Sequence, residues 1–252
     1  VIDVHCHLDS KEFSDDLDLV IRKAKENGVK AIITSALNYS GIKFSEKLVI
    51  QYDGYIYRTI GLDYTVLDRS FLEEIFSYIE RNKNTIIGIG EVGLDYYVFE
   101  DEEKRKIQRE FFTRWINFAK ELDFPLVVHS RSAGKYALEH LVQNNAERVI
   151  MHAFDGKASY AKNVINKGYL FSIPPSIARS EQKQKLVKAL PMESLLLESD
   201  APVLAPIKGV RNEPANIKIS AEWISKIKNI DINVVIEKTT QNAERIFKIN
   251  TK

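Results

Sequence analysis

The chain has 252 residues, 44% apolar and 28% charged, with 36 basic and 35 acidic side chains for a net charge of +1. This supplies enough apolar residues for one sizeable core, at a length where α/β barrels commonly form a single unit. The near balance of charge excludes a global basic field for nucleic acid, though not a local patch, and no apolar run approaches the about 20 residues of a membrane span.

Val1 to His7 opens the chain as a predicted strand. Asp15 to Asn27 follows as a helix, with Leu17, Val20, Ile21 and Ala24 on one face and Gly28 as its stop. Strands come next at Ala31 to Ser35, Tyr55 to Gly61 and Thr85 to Glu91. Glu103 to Leu122 reads as a helix, because Ile107, Phe111, Trp115, Phe118 and Leu122 recur every three or four residues. Leu126 to His129 and Arg148 to His152 are strands, with a helical run at Tyr136 to Val142 between them. A strand at Tyr169 to Ile173, a short helix at Gln184 to Leu190 ending at Pro191, and a strand at Ser194 to Ser199 complete the alternation. Ala201 to Glu213 is a non-periodic loop, and helical patterns at Ile217 to Ile227 and Val234 to Phe247 close the chain. Eight strands alternating with helices predict a closed parallel (β/α)₈ TIM barrel as one domain over residues 1–252, ahead of an open doubly wound sheet.

In such a barrel the carboxyl ends of all strands converge on one face, where the active site sits. His5 and His7 alternate with Cys6, so both imidazoles share a strand face and Cys6 takes the other as a small buried hydrophobe. Glu91 follows the glycine-punctuated Ile86-Ile87-Gly88-Ile89-Gly90, and His129, His152 and Asp200 each end an apolar run. Singly, each has a plain structural reading as a core histidine, a turn cap or a residue entering a loop. Together, four imidazoles and two carboxylates exceed what one tetrahedral ion needs. They suit two divalent ions sharing a bridging carboxylate, with Glu91 as the bridge. The mixed nitrogen and oxygen set suits Zn²⁺ or Mn²⁺, with Mg²⁺ an option at the oxygen-richer position. The expected chemistry is hydrolysis by metal-activated water, with Glu91 and Asp200 catalytic and Asp200 taking the proton. The fifth histidine, His140, lies on a predicted helix and is assigned a surface or packing role.

Asp3-Val4-His5-Cys6-His7-Leu8, Gly90-Glu91-Val92-Gly93-Leu94-Asp95-Tyr96, Pro125-Leu126-Val127-Val128-His129-Ser130-Arg131, His152-Ala153-Phe154-Asp155-Gly156, Glu198-Ser199-Asp200-Ala201-Pro202 and Arg211-Asn212-Glu213-Pro214 resemble the motifs of the TatD family of metal-dependent deoxyribonucleases. The resemblance runs from the first strand to Asn242-Ala243-Glu244-Arg245-Ile246-Phe247. It implies an amidohydrolase-like barrel, metal ligands at His5, His7, Glu91, His129, His152 and Asp200, and DNA as substrate, often cut from the 3′ end with Mg²⁺ or similar ions. Three positions depart from the pattern. Asp63 stands where the family has a histidine near the substrate, and an anionic Asp63 would repel phosphate. Ser132 replaces an aspartate, and Ala153 replaces a cysteine. The alternative is a hydrolase of an amide, ester or aminoacyl-tRNA ester on the same metal set. A non-catalytic binding protein is disfavoured by the complete ligand set.

Around the ligands, Arg131 is expected to hold a phosphate or to make a structural salt bridge, and Arg211 and Asn212 to line the pocket from the long loop. Asp3 is expected to orient a ligand histidine, and Tyr96, Tyr97 and Phe99 to pack the loop after Glu91 or stack on bases. Lys104-Arg105-Lys106 reads as a solvated helix face. Cys6 is the only cysteine, so no internal disulfide forms, and Val1-Ile2-Asp3-Val4-His5 lacks the basic start of a signal peptide. A cytoplasmic protein with no membrane contact and no obligate protein partner is the expectation.

Overall fold

The structure is a computed structural model that describes residues 1–251. Eight strands form one parallel sheet in chain order: β1 (Ile2–Cys6), β2 (Ala31–Ala36), β3 (Ile56–Ile60), β4 (Gly88–Gly93), β5 (Leu126–His129), β6 (Val149–Met151), β7 (Leu170–Ile173) and β8 (Leu195–Leu197). The sheet curls back on itself past the end of β8. There the Asp200 N–H donates to the His5 carbonyl (2.9 Å) and the His7 N–H to the Ala201 carbonyl (2.8 Å). The outer layer is α1 (Leu17–Glu26), α2 (Tyr39–Gln51), α3 (Arg69–Asn82), α4 (Glu102–Glu121), α5 (Gly134–Gln143), α6 (Ala158–Lys162), α7 (Glu181–Ala189), α8 (Ile217–Lys228) and α9 (Ile232–Phe247). This is the (β/α)₈ TIM barrel.

Local chemistry sets the helix ends. The Asp68, Asp101 and Asp231 side chains accept backbone N–H bonds at the starts of α3, α4 and α9, supplying acceptors for donors that the first turn leaves orphaned. Ser180 does the same for α7, through Lys183 N. It starts that helix three residues before Gln184, where the apolar pattern alone placed it. β4 is displaced the other way. Thr85 lies in a 3₁₀ turn over Lys83–Thr85, and the strand runs two residues past Glu91. A register irregularity between Ile89 and Val92 lets Val92 and Gly93 still pair with Val128 and His129. Glu91 is therefore held inside a strand rather than entering a loop.

Two apolar layers hold the fold. The larger lies between sheet and helices and contains Cys6, Ile32, Val128, Met151 and Leu197 with Val20, Phe112, Trp115 and Leu186. The smaller fills the barrel, with Ile2, Val4, Ala31, Ile33, Val127, Ile150, Leu170 and Leu196. Ala243, Ile246 and Phe247 of α9 pack against it at the amino ends of the strands. Cys6 thus faces away from the barrel axis, with its thiol 3.7 Å from the Ile33 carbonyl. One pleat beyond the smaller layer, toward the carboxyl ends, the inward residues turn polar. Ile33 gives way to Ser35, Val127 to His129, Ile150 to His152, Leu170 to Ser172 and Leu196 to Glu198. Side chains two apart on a strand share a face, so each strand carries packing below and chemistry above.

Candidate metal centre

All six expected ligands meet at this upper layer, and all but His7 are buried. Glu91 stands between two groups. Its Oε2 lies 3.3 Å from His5 Nε2 and 3.3 Å from His7 Nε2, and each of those nitrogens lies 3.6 Å from Asp200 Oδ1. Its Oε1 faces the other way, 2.6 Å from His129 Nδ1 and 3.4 Å from His152 Nε2. A tetrahedral ion bonded at about 2.1 Å keeps its ligand atoms about 3.4 Å apart. The first group already has that spacing. His5, His7 and Asp200, and separately His5, Glu91 and His152, each offer ligand atoms close enough for one ion.

The far nitrogen of each imidazole is held. His5 Nδ1 meets Ser35 Oγ at 3.0 Å, and His7 Nδ1 meets the Ser35 carbonyl at 3.2 Å. His129 Nε2 meets Asp95 Oδ2 at 2.9 Å, and His152 Nδ1 meets Glu198 Oε2 at 3.1 Å. Such partners orient a ligand ring and fix its tautomer. Of the inward nitrogens, His5 Nε2 and His129 Nδ1 are buried without a hydrogen bond, facing only the carboxylates of Glu91 and Asp200. A buried polar atom left bare is costly, and a cation between these atoms removes the penalty. The residues fit divalent metal.

The titration pattern agrees. Burial and the charge of His152 push His5 down to about 4. Burial also opposes charge on His7 and His152. Glu91 nonetheless lifts His7 to about 9, and Glu198 and Glu91 lift His152 to about 10. Burial would raise the Glu91 carboxyl, but His152 and His129 hold it well below the usual range. Burial keeps Asp200 up at about 6 against the pull of His152 and His7. Without a cation, the carboxylates hold protons on histidines in the place where positive charge is needed.

Two glycines permit the close approach. A Cβ on Gly93 would lie 2.1 Å from the His129 carbonyl oxygen, and one on Gly61 would lie 2.1 Å from that of Glu91. The centre opens into a cavity of about 570 Å³ lined by Tyr64, Arg131, Asp155, Lys183, Val203 and Leu204 among others.

Arg131 lies in that wall, exposed and stacked on Tyr97 with its guanidinium carbon 3.7 Å from the ring centre. Arg211 and Asn212 do not line this cavity, which corrects their expected place. Arg211 is spent on Asp16, at 2.8 and 2.6 Å, and on the Glu12 carbonyl at 2.6 Å. Asn212 is fully buried beneath the loop, donating to the Ser199 carbonyl at 2.6 Å. Asp3 does not orient a histidine ring. It accepts from the Ser199 N–H (2.7 Å) and hydroxyl (2.5 Å) and so staples β8 to β1. Arg105 is not merely solvated, since it donates to the Phe99 and Tyr96 carbonyls and braces the loop after Glu91. His140 packs as expected, 2.8 Å from Thr113 Oγ1 and stacked on Phe112.

The departures resolve locally. Asp63 turns aside to cap Thr65, through its N–H (2.8 Å) and hydroxyl (2.6 Å), and does not line the cavity. Its neighbour Tyr64 does, with its ring parallel to His129 at 3.9 Å. Asp155 Oδ2 accepts from the Ser132 N–H at 2.5 Å, so a carboxylate reaches that corner from the next loop. The Ala153 N–H donates to Glu198 Oε1 at 2.8 Å and needs no side chain of its own. Sequence reasoning missed Asp95, Glu198, Tyr64 and Lys183. Glu198 had a legible signal, because it follows the apolar run Leu195-Leu196-Leu197 two residues after Leu196, and Asp95 sits in the same motif as Glu91.

The family described as TatD related DNase matches residues 2–248. The chain belongs to this family. As a member it is a metal-dependent hydrolase. Human "Deoxyribonuclease TATDN3" is 43% identical, covering 98% of this chain and 94% of that protein. A protein of Methanocaldococcus jannaschii described as an uncharacterized metal-dependent hydrolase, MJ1582, is 33% identical over 98% and 96%. The crystal structure of YJJV, a TatD homolog from Escherichia coli, superposes with a TM-score of 0.89 at 25% identity, covering 99% of this chain and 98% of that one.

Proposed function

We propose that the protein is a deoxyribonuclease that hydrolyses DNA phosphodiester bonds with two divalent ions. The observation that carries this reading is the split of Glu91, with one carboxylate oxygen turned to His5, His7 and Asp200 and the other to His129 and His152. His5, His7, Glu91 and Asp200 would hold one ion, and Glu91, His129 and His152 the other. Mg²⁺, Mn²⁺ and Zn²⁺ all suit this nitrogen and oxygen set. When bound, such ions acidify water and polarise a phosphoryl oxygen.

The chain's own groups do the rest. Asp200 turns Oδ1 to the histidines, which leaves Oδ2 to take the proton of the attacking water. Asp95 and Glu198 keep the His129 and His152 rings aimed inward. Arg131 offers a guanidinium to a neighbouring phosphate at the rim, and Tyr64 and Tyr97 offer ring faces for bases. The carboxylates of Glu91, Asp95, Asp155, Glu198 and Asp200 are nearly offset by two divalent cations. Arg131 and Lys183 then tip the cavity positive, which favours an anionic substrate. Among the described residues no helix is long and apolar enough to cross a membrane, and the single cysteine favours a reducing compartment such as the cytoplasm.

The test uses single-stranded DNA labelled at either the 3′ or the 5′ end, with Mg²⁺, Mn²⁺, Zn²⁺ or EDTA, beside an Asp200→Asn control. Metal-dependent shortening that vanishes in the control is the expected result, and the two ladders give the direction, 3′ first on this reading. Intact DNA under every ion, from protein shown to carry metal, overturns it.

A further inference from the structure

Lys183 belongs to α7, a helix of the outer layer, yet it is only 7% exposed and lines the metal cavity. Its Nζ donates to the Ala153 carbonyl at 3.0 Å and the Phe154 carbonyl at 3.4 Å, the two residues that follow His152. An ammonium has three donors, so one remains for the cavity. No carboxylate among the described residues comes within ion-pairing distance of Nζ, although Glu198, Asp155 and Asp200 are near enough to act on it through space. Other cations on this side of the barrel differ, Arg179 donating to the Ala205 carbonyl. Arg211 is neutralised by Asp16, and Arg131 is exposed at the rim. A buried cation without a paired anion is unfavourable unless something compensates it. Burial indeed pulls Lys183 below the usual lysine range. The loop carbonyls solvate the ammonium but bring no charge. Glu198, Asp155 and Asp200 act on it only from beyond ion-pairing distance, and an anion entering the cavity would pair with it directly.

We propose that Lys183 is a further catalytic residue, its ammonium contacting a non-bridging oxygen of the phosphate being cleaved. This rests on the nuclease reading given above. Bond making and breaking at phosphorus loads negative charge onto those oxygens, and a fixed donor held by two carbonyls meets that charge without reorganising. Lys183 is placed to do so from the α7 side of the cavity, while Arg131 at the rim serves a neighbouring phosphate.

Three variants separate this role from a structural one. Lys183→Met removes charge and donors, Lys183→Gln keeps amide donors for the loop carbonyls without charge, and Lys183→Arg keeps charge. The readouts are kcat and KM on single-stranded DNA, metal content, melting temperature, and the salt dependence of binding to a phosphorothioate oligonucleotide. The expected result is a loss of about 10- to 100-fold in kcat/KM for Met and Gln, the size of a charge-assisted hydrogen bond. Metal content is unchanged, and the slope of log K against log salt becomes shallower by about 0.7, one phosphate contact on a single strand. Arg restores the slope. If Lys183 only braces the loop after His152, Met lowers the melting temperature or metal content while Gln retains full kcat/KM and the wild-type slope, and the proposal fails. Wild-type activity in all three variants overturns it equally. A wild-type protein that neither cleaves nor binds DNA overturns the nuclease reading first, and this inference with it.

Discussion

The two layers of the barrel interior share the same strands and differ in almost everything else. The lower layer of Val4, Ile33, Val127, Ile150, Leu170 and Leu196 is apolar and backed by Ala243, Ile246 and Phe247. The upper layer, one pleat on, holds Ser35, Thr59, Glu91, His129, His152, Ser172 and Glu198, buried almost as deeply but polar throughout. Packing in the lower layer sets where the strands sit, and the upper layer inherits that placement. The polar layer is tolerated because nearly every group in it has a partner. Ser35 Oγ meets Thr59 Oγ1 at 2.7 Å, and Ser172 donates to Glu198 at 2.6 Å. The bare atoms are on the metal-facing histidines and not on their supports. Stability and chemistry are thus separated by one step of the pleat, and substitutions should separate them too.

The largest effect is expected at the bridge. Glu91→Ala should lower turnover by at least about 10³-fold while circular dichroism of the metal-free protein stays native; an active, folded variant would break the assignment of the upper layer. Next is the lower layer. Leu196→Ala should reduce stability by about 2–5 kcal/mol in urea unfolding and leave kcat near wild type at temperatures where the variant is folded. A variant equally stable but inactive would mean that the two layers are not separable. Smaller is the loss at a supporting carboxylate. Asp95→Asn should weaken metal binding or activity by about 10- to 100-fold, read by titrating activity against Mn²⁺. The smallest contrast lies at the mouth. Arg131→Ala should make the salt slope of single-strand binding shallower by about 0.7. Arg211→Ala should leave that slope alone and barely move the melting temperature, because its pair with Asp16 is partly exposed. A slope change at Arg211 instead would show that the loop from Ala201 to Glu213 opens to the substrate.

The eight strands and the six candidate ligands were legible because both depend on short-range rules. Apolar runs of four to seven residues mark buried parallel strands, and a residue at the end of such a run is carried to the carboxyl face of the barrel. Capping explains the largest shift among the expected helix starts, since Ser180 caps α7 and starts it at Glu181, three residues before Gln184. The neighbours of the ligands were less legible. Asp3 lies two residues before His5 and reads as a support for it, yet its partner Ser199 is 196 residues away. Arg211 reads as a pocket cation until Asp16 is found beside it, 195 residues earlier in the chain.

The order of elements, the barrel class, the ligand types and the family were determined by the sequence alone, because period, punctuation and motif are local properties of the chain. Only the tertiary structure decided that Glu91 divides its oxygens between two groups, that Asp63 turns away while Tyr64 covers His129, and that Arg58 is wholly buried, held by the Ile42 and Thr85 carbonyls and the Thr85 hydroxyl. It also decided that Lys183 reaches inward from an outer helix. Each depends on a side chain's direction and on partners distant in sequence, and charge type at a position specifies neither.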